Sequence, residues 1–139
     1  MNESHPALIA ARASWRCVQA NDKAGWLDLM DENVCIEDPI GVAMTNPTGD
    51  GIQGKAAVSD FYDKHIAPSQ ISIETLESRT AGMESAHLLT LQNRFENGVT
   101  STVRGFFVYV VNEAGKLTNL RGYWDMEDMT FEQPSGSDG

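Results

Sequence analysis

The sequence predicts an α+β domain in which three N-terminal helices pack on one face of a curved, mostly antiparallel sheet. Three observations predict it. Apolar residues recur at helical spacing through the first half of the chain, interrupted by one short apolar run, Val34–Cys35–Ile36. The second half switches to the two-residue period of strands, broken by turn signals. The 139 residues, 41% of them hydrophobic, suit a single core-bearing domain over residues 1–130, followed by a disordered tail over 131–139.

Residues 6 to about 20 read as the first helix. Pro6 suits its first turn, where a missing N–H costs nothing, and Leu8, Ile9, Ala11, Trp15 and Val18 form an apolar stripe. Asn21–Asp22 breaks the pattern, and Asp22 is a candidate N-cap for a second, short helix carrying Trp26, Leu27, Leu29 and Met30. Trp15 and Trp26 read as core. A strand over Val34–Asp38 comes next. The irregular stretch Pro39–Gly54 follows, with turn chemistry at Thr45–Asn46–Pro47–Thr48–Gly49–Asp50–Gly51. A loop this long either covers a site or simply crosses the surface. Lys55–Ile66 is the clearest helix, with Val58, Phe61, Tyr62, His65 and Ile66 on one face. Tyr62 shares that buried face, so its hydroxyl needs a partner, in the core or in a pocket.

The β half begins at Ile71 and Ile73, with Leu76 on the same pattern. Ala86–Phe95 is a second strand, Glu96–Asn97–Gly98 a hairpin turn, Val99–Val111 a third strand, Asn112–Gly115 a turn and Lys116–Met126 the last strand. From about Thr130 the composition reads as a disordered tail. Val103–Val111 is apolar on both faces. One face therefore lines a core or cavity, and the other meets a second surface such as another subunit. In the last strand the alternation places Trp124 inward and Tyr123 outward.

Net charge is −10 and no basic block exists, which argues against nucleic acid and anionic membranes as partners. No apolar run approaches the roughly 18 residues of a membrane span, and the N-terminus lacks a signal-peptide pattern, so a cytoplasmic location is expected. Cys17 and Cys35 read as reduced thiols, and His5, His65 and His87 are scattered without metal-ligand spacing. The chemistry concentrates at Ile36–Glu37–Asp38–Pro39–Ile40–Gly41. A strand that stops at Asp–Pro delivers its last side chain to a rim or a pocket, because proline cannot extend the ladder. Asp38 is thus either a proton-transferring base at the mouth of an apolar pocket or the first residue of a turn.

Ile36–Gly41, the stretch Gly54–Lys55–Ala56–Ala57–Val58 through Phe61–Tyr62, and Gly122–Tyr123–Trp124 together resemble ketosteroid isomerase in the nuclear-transport-factor-2-like (NTF2-like) superfamily. The resemblance covers about residues 8 to 126. Ser14–Trp15–Arg16–Cys17–Val18–Gln19–Ala20 and the long Asn46–Pro47 loop look especially like its mycobacterial-type branch. The resemblance implies an NTF2-like conical α+β barrel, a homodimer through the sheet, a steroid-like apolar ligand, and no cofactor or metal. In that family an aspartate removes a proton beside a steroid ketone and returns it two carbons away, while a tyrosine and a protonated aspartic acid hold the dienolate oxygen. Asp38 matches the base, Tyr62 a supporting tyrosine, and Trp124 a pocket tryptophan. The two oxyanion donors should fall at Ser14, beside Trp15, and at Phe107, so neither is present. Tyr109, two residues from Phe107 on the same strand face, and Tyr62 are the expected replacements, with Ser14, Trp15, Phe61, Phe107 and Trp124 contacting the ligand. The alternatives are a steroid-binding protein without turnover, or another enzyme of the superfamily (dehydratase, cyclase or epoxide hydrolase) using His65.

Overall fold

A computed structural model describes residues 2–134. The chain runs α1 (Pro6–Gln19), α2 (Lys23–Asp28), β1 (Met30–Glu37), β2 (Ile52–Gln53) and α3 (Lys55–Phe61), which continues into a π-helical turn, Tyr62–Ile66. The remainder is β3 (Ser69–Ala81), β4 (Glu84–Phe95), β5 (Thr100–Val111), β6 (Leu117–Tyr123), a 3₁₀ turn at Met126–Asp128, and β7 (Met129–Glu132). The helices pack on one face of a curved, unclosed sheet of order β2-β1-β6-β5-β4-β3. This is the expected α+β cone, open between its β2 and β3 edges.

Local chemistry explains the elements. In α1, Ala7, Leu8, Ala10, Ala11, Ser14, Trp15 and Val18 are buried, while Ile9, expected on the stripe, faces out at 52% exposure. The stripe lies over β3, β4 and β5. Asp22 caps α2 by accepting from the Gly25 N–H at 3.0 Å. The second helix is shorter than expected, because Met30 already starts β1 and pairs with Leu117. Gly98 and Gly115 close the two hairpin turns at positive φ, where glycine carries no Cβ penalty.

The sheet departs from the expected meander in three places. First, β1 pairs parallel to β6, so the sheet is mixed. Second, the Pro39–Gly54 stretch contains β2, which pairs with β1 through Cys35↔Gln53 and Ile36↔Ile52. Third, Lys116–Met126 is not the last strand: β6 stops at Tyr123, and Met129–Glu132 pairs antiparallel with Val103–Thr100 of β5. Residues 131–132, assigned to the tail, therefore belong to the sheet. β5 is long enough to hold two partners end to end, β6 over Phe106–Val111 and β7 over Thr100–Val103. Of the rest of the tail, Gln133 and Pro134 follow β7, and 135–139 lie outside the described residues. Leu76 sits at a register shift between Thr75 and Glu77 and is 42% exposed, so it leaves the apolar face.

The inner face of β5 carries Val103, Phe107, Tyr109 and Val111, all buried, whereas Phe106 on the outer face is 57% exposed. At the other boundary of the core, Cys17 and Cys35 are half-buried free thiols whose pKa values burial raises.

Candidate functional site: an apolar cavity between Asp38 and Tyr109

Ile36 is buried on the inner face of β1, and Asp38, two residues on, shares that face. The parallel register Glu37↔Arg121 sets Asp38 beside Gly122 of β6. A Cβ at Gly122 would meet Asp38 Oδ1 at 2.7 Å, Trp124 Nε1 at 3.0 Å and Phe107 Cε2 at 3.1 Å. Only a residue without a side chain leaves room there for the carboxylate. Gly105 does the same for the tryptophan, since a Cβ there would lie 3.0 Å from Trp124 Cβ. In this slot the Trp124 indole N–H donates to Asp38 Oδ1 at 2.7 Å.

The loop behind Asp38 is built around Asn46, which is wholly buried. Its side-chain amide donates to the Pro39 carbonyl at 3.0 Å, its Oδ1 accepts from the Gly51 N–H at 2.9 Å, and its backbone pairs with Ala43. The Thr45 hydroxyl donates to the Asp38 carbonyl. The peptide between Asp38 and Pro39 is cis. The long loop thus fixes the backbone that carries the acid.

Asp38, Trp124, Thr45, Phe107, Ser14, Trp15, Phe61 and Tyr109 all line one cavity of about 150 Å³. Between its polar ends the wall is apolar: Ile36, Ile71, Leu89, Leu91, Val103 and Leu120. The Asp38 carboxyl is enclosed by protein although the residue keeps partial solvent contact. Burial raises its pKa above the ordinary carboxylate value, and the Trp124 hydrogen bond pulls the other way. A carboxylate so placed is a stronger base than one in water.

The Tyr109 hydroxyl stands in the same cavity and accepts from the Trp15 indole N–H at 2.9 Å. Burial raises its pKa above the phenol value. The Trp15 and Ser14 hydrogen bonds oppose that rise, while the charge on Asp38 adds to it. Ser14 in turn accepts from the Trp26 indole at 3.0 Å. Behind this pair lies buried His87, edge-on to Trp15 and Tyr109 with ring centroids 4.8 and 5.6 Å away. The Ser85 hydroxyl donates to the Ala7 carbonyl at 3.2 Å, so it accepts from His87 Nε2–H at 2.8 Å. His87 Nδ1 then accepts from the Ser78 hydroxyl at 2.6 Å. This chain uses the neutral imidazole, and burial pushes the His87 pKa down to about 4.

Tyr62 departs from its expected role as a supporting tyrosine. It is buried with its ring 5.5 Å from Trp26 and is not among the residues that line the cavity. Its hydroxyl is buried and has no hydrogen-bond partner among the described residues. Burial raises its pKa, and the charges of Asp22, Cys17 and Asp63 add to the rise. Phe61, one residue earlier and about 100° around the helix, faces the cavity instead.

Gly105, Gly122, Thr45, Asn46 and Asn93 escaped the sequence reading as site residues. The two glycines carried a signal, since glycine inside a strand marks a close approach of other atoms. The Asn46 hydrogen bonds carried none.

A SnoaL-like domain model matches residues 11–120. The chain belongs to the SnoaL-like domain family. A search of curated protein sequences gave no match. Among solved structures similar to this SnoaL-like, NTF2-like chain is a Δ5-3-ketosteroid isomerase from Mycobacterium sp. It is 47% identical, covers 92% of this chain and 99% of its own, and has a TM-score of 0.90. RV0760c from Mycobacterium tuberculosis, in complex with estradiol-17beta-hemisuccinate, is 52% identical over 92% of this chain and 100% of its own, with a TM-score of 0.89. A computationally designed 17-OHP binder is 50% identical over 93% and 100%, with a TM-score of 0.91. Among the described residues, no helix is long and apolar enough to cross a membrane, and no group of three or more His, Cys, Asp or Glu could hold a metal ion.

Proposed function

We propose that this protein is a cofactor-independent steroid Δ-isomerase, moving a double bond in a 3-ketosteroid by proton transfer through Asp38. The observation that carries the reading is a buried carboxylate with one hydrogen-bond donor, facing an apolar cavity that also holds a tyrosine hydroxyl. Asp38 removes a proton from the carbon beside the ketone. The electron pair moves toward the carbonyl oxygen, which becomes a dienolate oxygen. Tyr109 donates its phenolic proton in a hydrogen bond to that oxygen, since its own lone pair already accepts from Trp15. Asp38 then returns the proton two carbons away. Similarity to a mycobacterial ketosteroid isomerase supports the same reading.

Phe107 favours a second reading. It is 1% exposed and forms apolar wall where the family resemblance implies an acid, which leaves Tyr109 without a second donor. A pocket so lined binds a steroid without turning it over, and the similar RV0760c was solved in complex with a steroid ester. A Δ5-3-ketosteroid assay on the native protein and Asp38→Asn separates the two. The isomerase reading expects turnover that falls roughly 10²–10⁴-fold in the variant, the usual contribution of a positioned base. Steroid binding with no turnover above background selects the binding protein.

The assembly proposed is a cytoplasmic homodimer through the outer face of the sheet. Phe106 and Tyr123 are direct partners on β5 and β6 and are 57% and 48% exposed, with half-buried Val108 and Val110 beside them. Sedimentation should give twice the chain mass, and a monomer at micromolar concentration contradicts it.

A further inference from the structure

Trp26 reads as a core residue and has no part in the proton-transfer scheme, yet its indole N–H reaches into the cavity wall. It is 2% exposed and donates to the Ser14 hydroxyl at 3.0 Å. Ser14, also 2% exposed, lines the cavity with Trp15, Trp26 and Tyr109. A buried hydroxyl that accepts one bond still has a proton to place. Ser14 places it on Tyr109, where its hydrogen bond holds the phenol's pKa down against burial. A bond that favours the phenolate is one given to the phenol oxygen. The Trp15 N–H gives that oxygen a second bond at 2.9 Å. Trp15 takes no proton in return, because an indole N–H only donates. His87, edge-on to both rings, does not take it either. Its Nε2–H is engaged by Ser85 at 2.8 Å, and its Nδ1 accepts from Ser78 at 2.6 Å. Each contact carries one proton, so these groups turn the Tyr109 O–H toward the cavity.

We propose that Trp26, Ser14 and Trp15 are positioning residues, a one-way set of donors that ends on the Tyr109 oxygen and aims its proton at a ligand oxygen. The inference rests on Tyr109 meeting that oxygen, as in the function proposed above, and not on turnover. Ser14 then acts through Tyr109 and not by touching the ligand. Filling both lone pairs of the phenol has two effects. It removes the rotations in which the O–H points back into the core. It also strengthens the outgoing bond, since hydrogen bonds in series polarise one another. Both effects matter at this site, because the buried Phe107 supplies no second donor.

The test is equilibrium binding of two steroids, estradiol and its analogue without the phenolic hydroxyl. The readout is the ratio of the two affinities, in which packing losses common to both compounds cancel. Native protein should favour estradiol about 5- to 10-fold. Ser14→Ala and Trp15→Phe should each cut that ratio about threefold, and Trp26→Phe, one bond further out, by less. Tyr109→Phe should remove most of it, and adding Ser14→Ala to Tyr109→Phe should lower it no further. Binding of the deoxy compound reports that each variant is folded. A further loss in that double variant would mean that Ser14 touches the ligand itself, and overturns the proposal. A ratio that Ser14→Ala and Trp15→Phe leave at the native value overturns it too. So does a ratio that rises in Ser14→Ala, which would have Tyr109 donating to Ser14. All three results leave Tyr109 as the ligand's donor. If native protein shows no preference, or Tyr109→Phe keeps it in full, that role falls and the positioning set with it.

Discussion

Tyr109 and Tyr62 are both buried beside a tryptophan, and their hydroxyls meet different surroundings. Tyr109 on β5 accepts from Trp15, feels Ser14 and Asp38, and opens onto the cavity. Tyr62 at the start of the π-helical turn lies against Trp26, with its hydroxyl unpaired among the described residues and outside the cavity. A partnered donor aimed into an apolar space is arranged for a ligand oxygen. An unpaired buried hydroxyl adds a desolvation cost and reaches no ligand. The difference teaches that a buried tyrosine in an NTF2-like domain is assigned by where its hydroxyl ends, not by its presence on an apolar face.

The comparison can be broken from either side. The largest expected effect is Tyr109→Phe, which removes the oxygen's donor and should lower kcat of the isomerase assay roughly 10²–10³-fold. Tyr62→Phe in the same assay should leave kcat within about twofold, and the melting temperature should hold or rise because an unsatisfied hydroxyl is removed. Equal losses in the two variants would end the distinction.

A smaller effect is expected from Gly122→Ala. Its Cβ would lie 2.7 Å from Asp38 Oδ1, so the carboxylate and Trp124 must shift. Chemical denaturation should show a loss of about 1–3 kcal/mol, with weaker turnover. Native stability and native rate together would show that the slot is loose.

The pH profiles sharpen the Asp38 end of the cavity. Burial raises the Asp38 pKa in the folded protein above its unfolded value. The folded state therefore holds this proton more tightly. The stability it contributes is present at low pH and is lost as pH rises through the folded pKa. Asp38→Asn, which carries no charge, should therefore raise the melting temperature at pH 7 while lowering turnover. In the native protein kcat/KM should fall on the acid side with an apparent pKa above the ordinary carboxylate value. Trp124→Phe should move that limb upward by about one pH unit, because it removes the hydrogen bond that favours the charged form. His87 acts in the opposite sense. Its folded pKa, about 4, is below the usual 6.5, so the stability it contributes is lost as pH falls from about 6.5 toward 4. Thermal melts across that window on native protein and His87→Gln should show a shallower slope for the variant.

Much of this arrangement was legible in the sequence because it depends on local pattern. Helical spacing marked α1 and α3, the Asp–Pro pair marked the end of β1, and alternation put Phe107 and Tyr109 on one strand face and Trp124 inward. What the pattern could not carry depends on pairing between distant segments. β7 is four residues long and mostly exposed, so nothing in Met129–Glu132 marks a strand until β5 offers it an edge. The parallel β1–β6 pairing, which brings Gly122 to Asp38, leaves no local trace either. The helical pattern leaves Tyr62 open between core and pocket, because an apolar helix face is wide and a residue about 100° from Phe61 still counts as buried, and only the family resemblance puts it in the pocket. Its direction became clear only with Trp26 in place.

The most direct test of the account is a crystal structure of the native protein with a bound phenolic steroid, whose ring oxygen mimics the dienolate oxygen. The account predicts that oxygen within about 3 Å of the Tyr109 hydroxyl, with the Asp38 carboxylate over the adjacent ring carbons. A phenol oxygen bonded elsewhere, out of reach of the Tyr109 hydroxyl, would contradict it.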